Sequence, residues 1–341
     1  MKAFHQDSAE DPKAMRRFTS GEMTELSVII VNWNTKDYLV RCLGFLFETE
    51  KRDAREVLVV DNGSDDGSGE EVNKAFPSVH LIQNEENLGF ATAVNQGLPK
   101  ASGKYILLLN PDTQVKNGAI EQLVSFMDAH SDVGITGAQL LNADGSKQNS
   151  IANFPTLATE LLNKSVLRWL FPKKFPGKAK HYSKPLEVDS VIGACMMVRR
   201  DAVEQVGLLD EDYFLFLEET DWCYRMKKAG WKIFHVPQAE VYHFQGKSAE
   251  KDKKGAKVEY YRSRYHFFKK NKGNVQFLIL FVGLTIKLVV ELVSTGVACL
   301  LTLFAVKKWG QRFFIYAYLI WWHLRLFPEE MGLRYSTKSG G

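Results

Sequence analysis

Cysteine is scarce in this chain and badly spaced for chemistry. Cys42, Cys195, Cys223 and Cys299 are the only four in 341 residues, and no two form a CxxC pair. That excludes a zinc ribbon, a dithiol redox centre and a disulfide framework, and leaves reduced thiols in a cytosolic compartment as the expectation. Nothing apolar opens the sequence either. Residues 1–25 lack the hydrophobic core of a secretory signal and read as a polar lead-in, so the chain is expected to start in the cytoplasm. There is no internal repeat and no low-complexity tract. Nor is there a glycine-rich, basic phosphate loop after the first apolar segment, where NWNTKDY (32–38) stands. A nucleotidyltransferase would want one.

What is present is a globular composition, 45% hydrophobic and 25% charged, which excludes a disordered chain, a collagen and a coiled coil. The length allows one large α/β domain or about two domains. The net charge of +4 hides an asymmetry: residues 1–245 carry a net −7 and residues 246–341 a net +11. A basic tail suits nucleic acid or an anionic membrane. Here the basic tail is also the most apolar part of the chain, which favours the membrane and argues against nucleic acid.

The apolar run LSVIIVNW (26–33) has the look of a parallel strand buried on both faces. EVLVVD (56–61), YILLLN (105–110) and the shorter VHLIQN (79–84) repeat it, and helical spacing fills roughly 37–50, 68–76, 90–99 and 117–129. This alternation predicts an α/β fold with a mostly parallel sheet and helices on both faces. Ligands then bind beyond the carboxyl ends of the strands, so loops 32–35, 61–68, 84–90 and 110–114 should line one crevice. Further on, 188–200 is expected as a strand, 210–231 as a loop becoming a helix that stops at Gly230, and 232–244 as two short strands around Pro237.

Four features carry chemistry. In DNGSDDGS (61–68), Asp61 leaves a strand pointing into the crevice, where it could accept hydrogen bonds from a base or ribose; an acidic turn is the alternative. In LLLNPDT (107–113), Asp112 could hold a hard cation against phosphate oxygens, or it could cap a helix or close a turn with Pro111. In FLFLEETDW (214–222), Glu218, Glu219 and Asp221 sit among large apolar side chains, as a general base with a raised pKa would, or they complement a helix dipole. His243 follows a short strand and is a metal ligand or a structural histidine.

In order along the chain, SVIIVNWN, VVDNGSDDGS, NLGFATAVNQG, LLLNPDT, VIGACMMVRR, FLFLEETDWCYR and AEVYHFQGKS resemble the inverting nucleotide-sugar glycosyltransferases of family 2, most of all the rhamnosyltransferase-like branch. The resemblance spans about 26–248 and implies a GT-A fold, the mostly parallel sheet of nucleotide-diphospho-sugar transferases. It implies a divalent cation, Mg²⁺ or Mn²⁺, bound by Asp112 and His243, with Asn110 where many relatives have a first acid. Asn32, Asp61, Asn87, Gly89, Asn95, Asn110 and Asp112 would meet a pyrimidine nucleotide-sugar donor, dTDP-rhamnose by first guess. Gly193 and Ala194 would floor the site of a glycan or lipid-linked acceptor. Glu219 matches the catalytic base, with Asp221 as the other candidate. A catalytically inactive sugar-nucleotide-binding scaffold is the alternative, and retention of Asp61, Asp112, Glu219 and His243 together argues against it.

The chain thus divides into a lead-in (1–25), a catalytic domain (26–248) and a basic, hydrophobic helical tail (249–341) associated with the cytoplasmic face of the inner (plasma) membrane. Residues 275–306 carry only Lys287 and Glu291 as charges, and basic residues flank them on both sides. This pattern favours in-plane or re-entrant helices, with a single span or a buried helical subdomain as alternatives. FFIYAYLIWWHLRLF (313–327) reads as an interfacial helix, and VEYYRSRYHFFKKNK (258–272) as one lying on the bilayer surface. On this reading, cutting the chain near residue 246 leaves a soluble catalytic half.

Overall fold

The computed structural model describes residues 24–49, 55–171, 182–245 and 252–336, so most of the expected lead-in lies outside the described residues. The chain begins with β1 (Leu26–Asn32), α1 (Lys36–Thr49), β2 (Arg55–Asp61), α2 (Ser68–Ala75), β3 (His80–Gln83), α3 (Phe90–Gly97) and β4 (Tyr105–Leu109). It continues through β5 (Thr113–Val115), α4 (Ala119–Ala129), β6 (Val133–Leu141) and β7 (Ile151–Ala152), then α5 (Leu157–Leu161) and α6 (Lys164–Leu170). After β8 (Leu186–Glu187), β9 (Ser190–Val191) and β10 (Cys195–Arg199) come α7 (Arg200–Val206), α8 (Glu218–Lys228) and β11 (Lys232–His243).

The main sheet runs β3-β2-β1-β4-β10-β6-β11-β5, with β8 also on β11. Successive side chains of a strand leave on opposite faces, and the central strands β1, β4 and β10 are buried almost throughout. Val28 and Ile30 of β1 therefore join the core under α1 and α4, while Ile29 joins the core under α3, α7 and α8. This is the helix-on-both-faces arrangement the alternation predicts. The sheet is nevertheless mixed. β10 runs antiparallel to both β4 and β6, while β6 and β11 are parallel to each other. The reversal decides where function sits. It brings the start of β10 beside the end of β4, pairing Cys195 with Leu109, and it leaves the end of β11 at the same edge.

Two expected elements change. The segment 188–200 is two strands, β9 and β10, separated by a turn through Gly193 and Ala194. The segment 232–244 is one twelve-residue strand, not two; its register against β6 slips between Val236 and Glu240. Pro237 has no N–H for the ladder, and the bulge lets the strand continue past it. All four cysteines are free and buried.

Beyond residue 251 the chain forms α9 (Lys253–Asn271), α10 (Asn274–Leu301), α11 (Lys307–Leu324) and a short α12 (Leu333–Ser336). The segment expected on a bilayer surface, α9, is instead packed into the protein. Val258, Phe267 and Phe268 are fully buried in a third core with Tyr213, Leu284 and Trp322. Its polar side chains are equally committed: Lys270 and Asn271 bond the buried Asp221, and Arg264 pairs with Glu160 at 3.1 Å. α10 is one unbroken helix of 28 residues, about 42 Å at 1.5 Å per residue. It is long and apolar enough to cross a membrane, with a mean hydropathy of 2.3 over its most apolar window. One stripe of it is buried through Leu280, Leu284, Leu288, Thr295 and Cys299, while Ile286, Val290, Val293 and Val297 are exposed.

The packing of α9 argues against a separable catalytic half. Truncation after residue 245 should abolish the cooperative thermal transition of what remains. Phe267→Ala in the full chain should cost about 3–5 kcal/mol, as deletion of a buried aromatic does. A soluble truncated chain with an undiminished melting temperature would refute this account.

Candidate active site

At the carboxyl edge of the parallel strands lies a cavity of about 480 Å³. Trp33, Thr35, Asn62, Asn87, Gly89, Asn110, Asp112 and His243 line it, so the four loops expected to share a crevice do share one. Phe214, Phe216, Gln245 and Leu333 complete the wall. The last of these comes from α12, so the end of the tail contributes to the cavity.

Asp112 and His243 meet here because β11 pairs with β5: His243 lies opposite Thr113, and the Phe244 N–H donates to the Asp112 carbonyl at 2.9 Å. Nε2 of His243 is 3.4 Å from Oδ1 of Asp112, which is 6% exposed. Gln148 fixes which nitrogen of the ring carries its proton. Its amide nitrogen donates to the His243 carbonyl, which can only accept, and so its oxygen faces Nδ1 at 3.1 Å. Nδ1 must then hold a hydrogen, so in the neutral ring it is the Nε2 lone pair that faces the carboxylate oxygen. Two electron-pair donors converging on one point of a cavity are a fit for a divalent cation, with the outer hydrogen bond that orients a ligating histidine. Gln148 lies in a stretch with no regular pattern, and nothing in the sequence singles it out.

Asp61 and Asn32 are at the ends of neighbouring strands and are almost fully buried. Oδ1 of Asp61 accepts from the Asn32 amide at 3.0 Å and from Ser64 Oγ at 2.5 Å. Neither lines the cavity; their neighbour Asn62 does. Asn62 was not anticipated. Its amide donates to the Asn87 side chain at 2.8 Å and the Gly89 carbonyl at 3.2 Å, and its oxygen accepts from the Leu88 N–H at 3.1 Å. That ties loop 61–68 to loop 84–90. Asn95 stands apart from the cavity: its amide bonds the Leu209 carbonyl and Glu211, and its oxygen takes the Leu209 N–H.

Gly193 and Ala194 arrive by the reversal at β10. The Ala194 carbonyl accepts from the Asn110 N–H at 3.0 Å. A Cβ on Gly193 would lie 3.7 Å from the Glu219 side chain, so the turn and the acidic helix face each other. The three acids of α8 separate sharply. Asp221 is wholly buried and bonded to Arg225 at 2.8 Å, Lys270 at 3.0 Å and Asn271 at 2.7 Å. It holds helices together. Glu218 is buried with Oε2 unsatisfied among the described residues. Burial, then the neighbouring Glu219 charge, pushes its pKa well above the usual glutamate value. Glu219 is only half-buried and is also raised by burial. Of the three, it alone combines partial access with a shifted pKa, which is the condition for general-base work near neutrality.

The entry to α8 is strained. Phe216 and Leu217 have φ of 72° and 68°, a left-handed pair without glycine. α9 holds it: Ser263 Oγ donates to the Leu215 carbonyl at 2.9 Å, and Tyr260 packs edge-on against Phe216. A second trio, Asp210, Asp212 and His266, has metal-ligand spacing. There Lys270 bonds the same oxygen of Asp210 as His266 does, at 2.6 Å, so an ammonium already supplies the positive charge.

Residues 27–207 match the family model described as glycosyl transferase family 2. The chain is 31% identical, over 71% of its length and 83% of the relative's, to N-acetylglucosaminyl-diphospho-decaprenol L-rhamnosyltransferase of Mycobacterium tuberculosis. It is 25% identical to the dTDP-rhamnosyl transferase RfbF of Shigella flexneri, over 75% and 83% of the two chains. Among solved structures it is similar to a mannosyltransferase of Pyrobaculum calidifontis in complex with GDP-Man and Mn²⁺. That likeness has a TM-score of 0.54 at 17% identity, over 89% and 87% of the two chains.

Gly89 tests the cavity wall. Its φ is +89°, and a Cβ there would approach the Phe214 ring and carbonyl to 2.7 Å. Gly89→Ala should therefore lower stability by roughly 1–3 kcal/mol through backbone strain, with the clash adding to it. An unchanged denaturant midpoint would count against the observed seating of loop 84–90 on Phe214.

Proposed function

The chain belongs to glycosyl transferase family 2 and has the GT-A fold, and from that premise we propose that it is a cation-dependent, inverting rhamnosyltransferase of cell-envelope glycan assembly. The donor in this reading is dTDP-rhamnose, supported by the names of the rhamnosyltransferase relatives, and the acceptor is a lipid-linked saccharide at the cytoplasmic face of the inner membrane. The observation that carries it is the cavity edge itself. Asp112 and His243 converge at 3.4 Å, and Glu219 stands beyond Gly193 with the neighbouring Ala194 bonded to Asn110.

Asn62, Asn87 and Gly89 form the polar, tightly turned wall that would receive the nucleoside diphosphate. When bound, a divalent cation between Asp112 and His243 would offset the negative charge that a diphosphate leaving group develops. The acceptor lies over Gly193, where the missing side chain leaves room beside Glu219. Its hydroxyl oxygen attacks the anomeric carbon as the bond from that carbon to the diphosphate oxygen breaks, and the electron pair departs with the nucleotide. The hydroxyl proton passes to the Glu219 carboxylate. A single displacement with one base inverts the anomeric centre. Glu218 beside it is buried, so of the two adjacent acids Glu219 is the one with access.

Glu219→Gln should keep donor affinity and lose transfer by about 10²-fold or more, the usual contribution of a positioned base. Transfer surviving in Glu219→Gln but lost, without unfolding, in Asp221→Asn would assign the base to the wrong acid. The raised pKa of Glu219 also sets the pH profile. Its carboxylate must be ionised to accept the proton, so kcat/KM should fall with decreasing pH through a value above about 4.3, the usual glutamate range. A limb at or below that range would remove the role of burial. Asp112→Ala and His243→Ala should each weaken donor binding that depends on added Mg²⁺ or Mn²⁺, and undiminished activity in excess EDTA would sink the cation site.

A further inference from the structure

An apolar surface lies within the catalytic half, far in sequence from the tail. α5 and α6 form a helical hairpin inserted between β7 and β8. On it Leu162, Val166, Trp169, Leu170 and Phe171 are exposed, Trp169 at 80%. An indole turned almost wholly outward, with four apolar neighbours, is an unusual surface for a water-facing helix. The hairpin does not stand alone. Leu161 packs against Gly283 of α10, so closely that a Cβ on that glycine would come within 2.6 Å of it, and Lys287 Nζ reaches the Glu160 carbonyl at 3.4 Å. The ion pair of Glu160 with Arg264 fastens the other side to α9. α5 is therefore seated on α10, and the exposed residues begin directly after that contact, at Leu162.

Charge identifies the occupant. Along α6 and the turn that leads into it, residues 161–171, the only charged residues in the sequence are Lys164 and Arg168, both basic, within a half whose net charge is −7. Apolar residues with a tryptophan, set among exclusively basic ones, suit an anionic lipid interface: rings and aliphatic chains enter the acyl boundary while cations meet phosphate headgroups. A protein partner gives no reason for one sign of charge together with continuity to a membrane-length helix.

We propose that the α5–α6 hairpin is a second bilayer-contacting element, continuous with α10, which sets the acceptor side of the catalytic edge against an anionic membrane. The proposal rests on the membrane-associated reading above and extends it to the catalytic half. The hairpin follows β7, which pairs with β9 directly before Gly193. A saccharide carried on a membrane lipid would then reach Glu219 from the bilayer side without leaving its anchor.

The test uses the full chain reconstituted in vesicles of phosphatidylglycerol and phosphatidylcholine. Since all four native cysteines are buried, an environment-sensitive fluorophore can be placed on Trp169→Cys, on Val297→Cys of α10, and on Asp132→Cys at the opposite edge of the sheet. The labels at 169 and 297 should be several-fold less quenched by aqueous iodide than the label at 132, and should be quenched by lipids bearing a spin label. If 297 is shielded while 169 is as accessible as 132, the hairpin proposal falls and the tail reading stands. If all three are equally accessible, both fall. The pair Trp169→Asp with Leu170→Asp, at exposed positions, should keep the thermal transition and lower co-sedimentation with phosphatidylglycerol vesicles several-fold. Unchanged partition of that variant would also overturn the proposal.

Discussion

A carboxylate with no exposure is tolerated only where its charge is answered, and for Asp221 the answer comes from two distant parts of the chain. Arg225 lies one turn along its own helix, while Lys270 and Asn271 lie on α9 some fifty residues later. Losing one partner of such a cluster costs several kcal/mol, because it strands the remaining charge away from water. The cluster therefore fixes α8 against α9, and the catalytic edge inherits that fixity. Tyr213 packs on His266, Leu215 is hydrogen-bonded by Ser263, and Phe216 rests on Tyr260, all of them α9 contacts. The left-handed pair Phe216–Leu217 can persist because its surroundings over-determine it.

That arrangement explains how three acids within four residues come to do different things. A helix turns 100° per residue, so Glu218, Glu219 and Asp221 face different surroundings once α8 is fixed. Asp221 points into the cationic cluster, Glu218 into the interior where burial raises its pKa, and Glu219 towards the turn at Gly193. Asp210, one loop earlier, shows the opposite balance from Glu218. Burial pushes its pKa up, but hydrogen bonds from His266 and Lys270 outweigh this and hold it below the usual carboxylate range. Its contribution to stability is therefore complete above the ordinary aspartate pKa and is lost only as the pH falls through the depressed one.

The tail thus serves two kinds of surface. Its first helix is an internal strut of the catalytic half, and its long apolar helix offers a broad lipid-like face. The −7 and +11 charges of the two parts attract each other: Lys270 meets Asp210 and Asp221, and Arg264 meets Glu160. Basic residues read in sequence as a membrane patch are partly spent on internal ion pairs.

The sequence by itself determined the strands of the sheet and the crevice at its carboxyl edge, because runs such as LSVIIVN and YILLL leave no polar face to expose and successive residues must alternate between two cores. The ordered motifs likewise determined the family, since VVDNGSDDGS, LLLNPDT and FLFLEETDW keep their order and composition whatever the packing. Three things were decided only by the tertiary structure. The antiparallel course of β10, which brings Gly193 to the catalytic edge, depends on which strands become neighbours, and no local pattern states that. The proton position on His243 depends on the amide of Gln148, ninety-five residues earlier in the chain. The division of labour among Glu218, Glu219 and Asp221 depends on α9, since a carboxylate's charge is set by the partners and the water within a few ångströms of it, and those arrive only on folding.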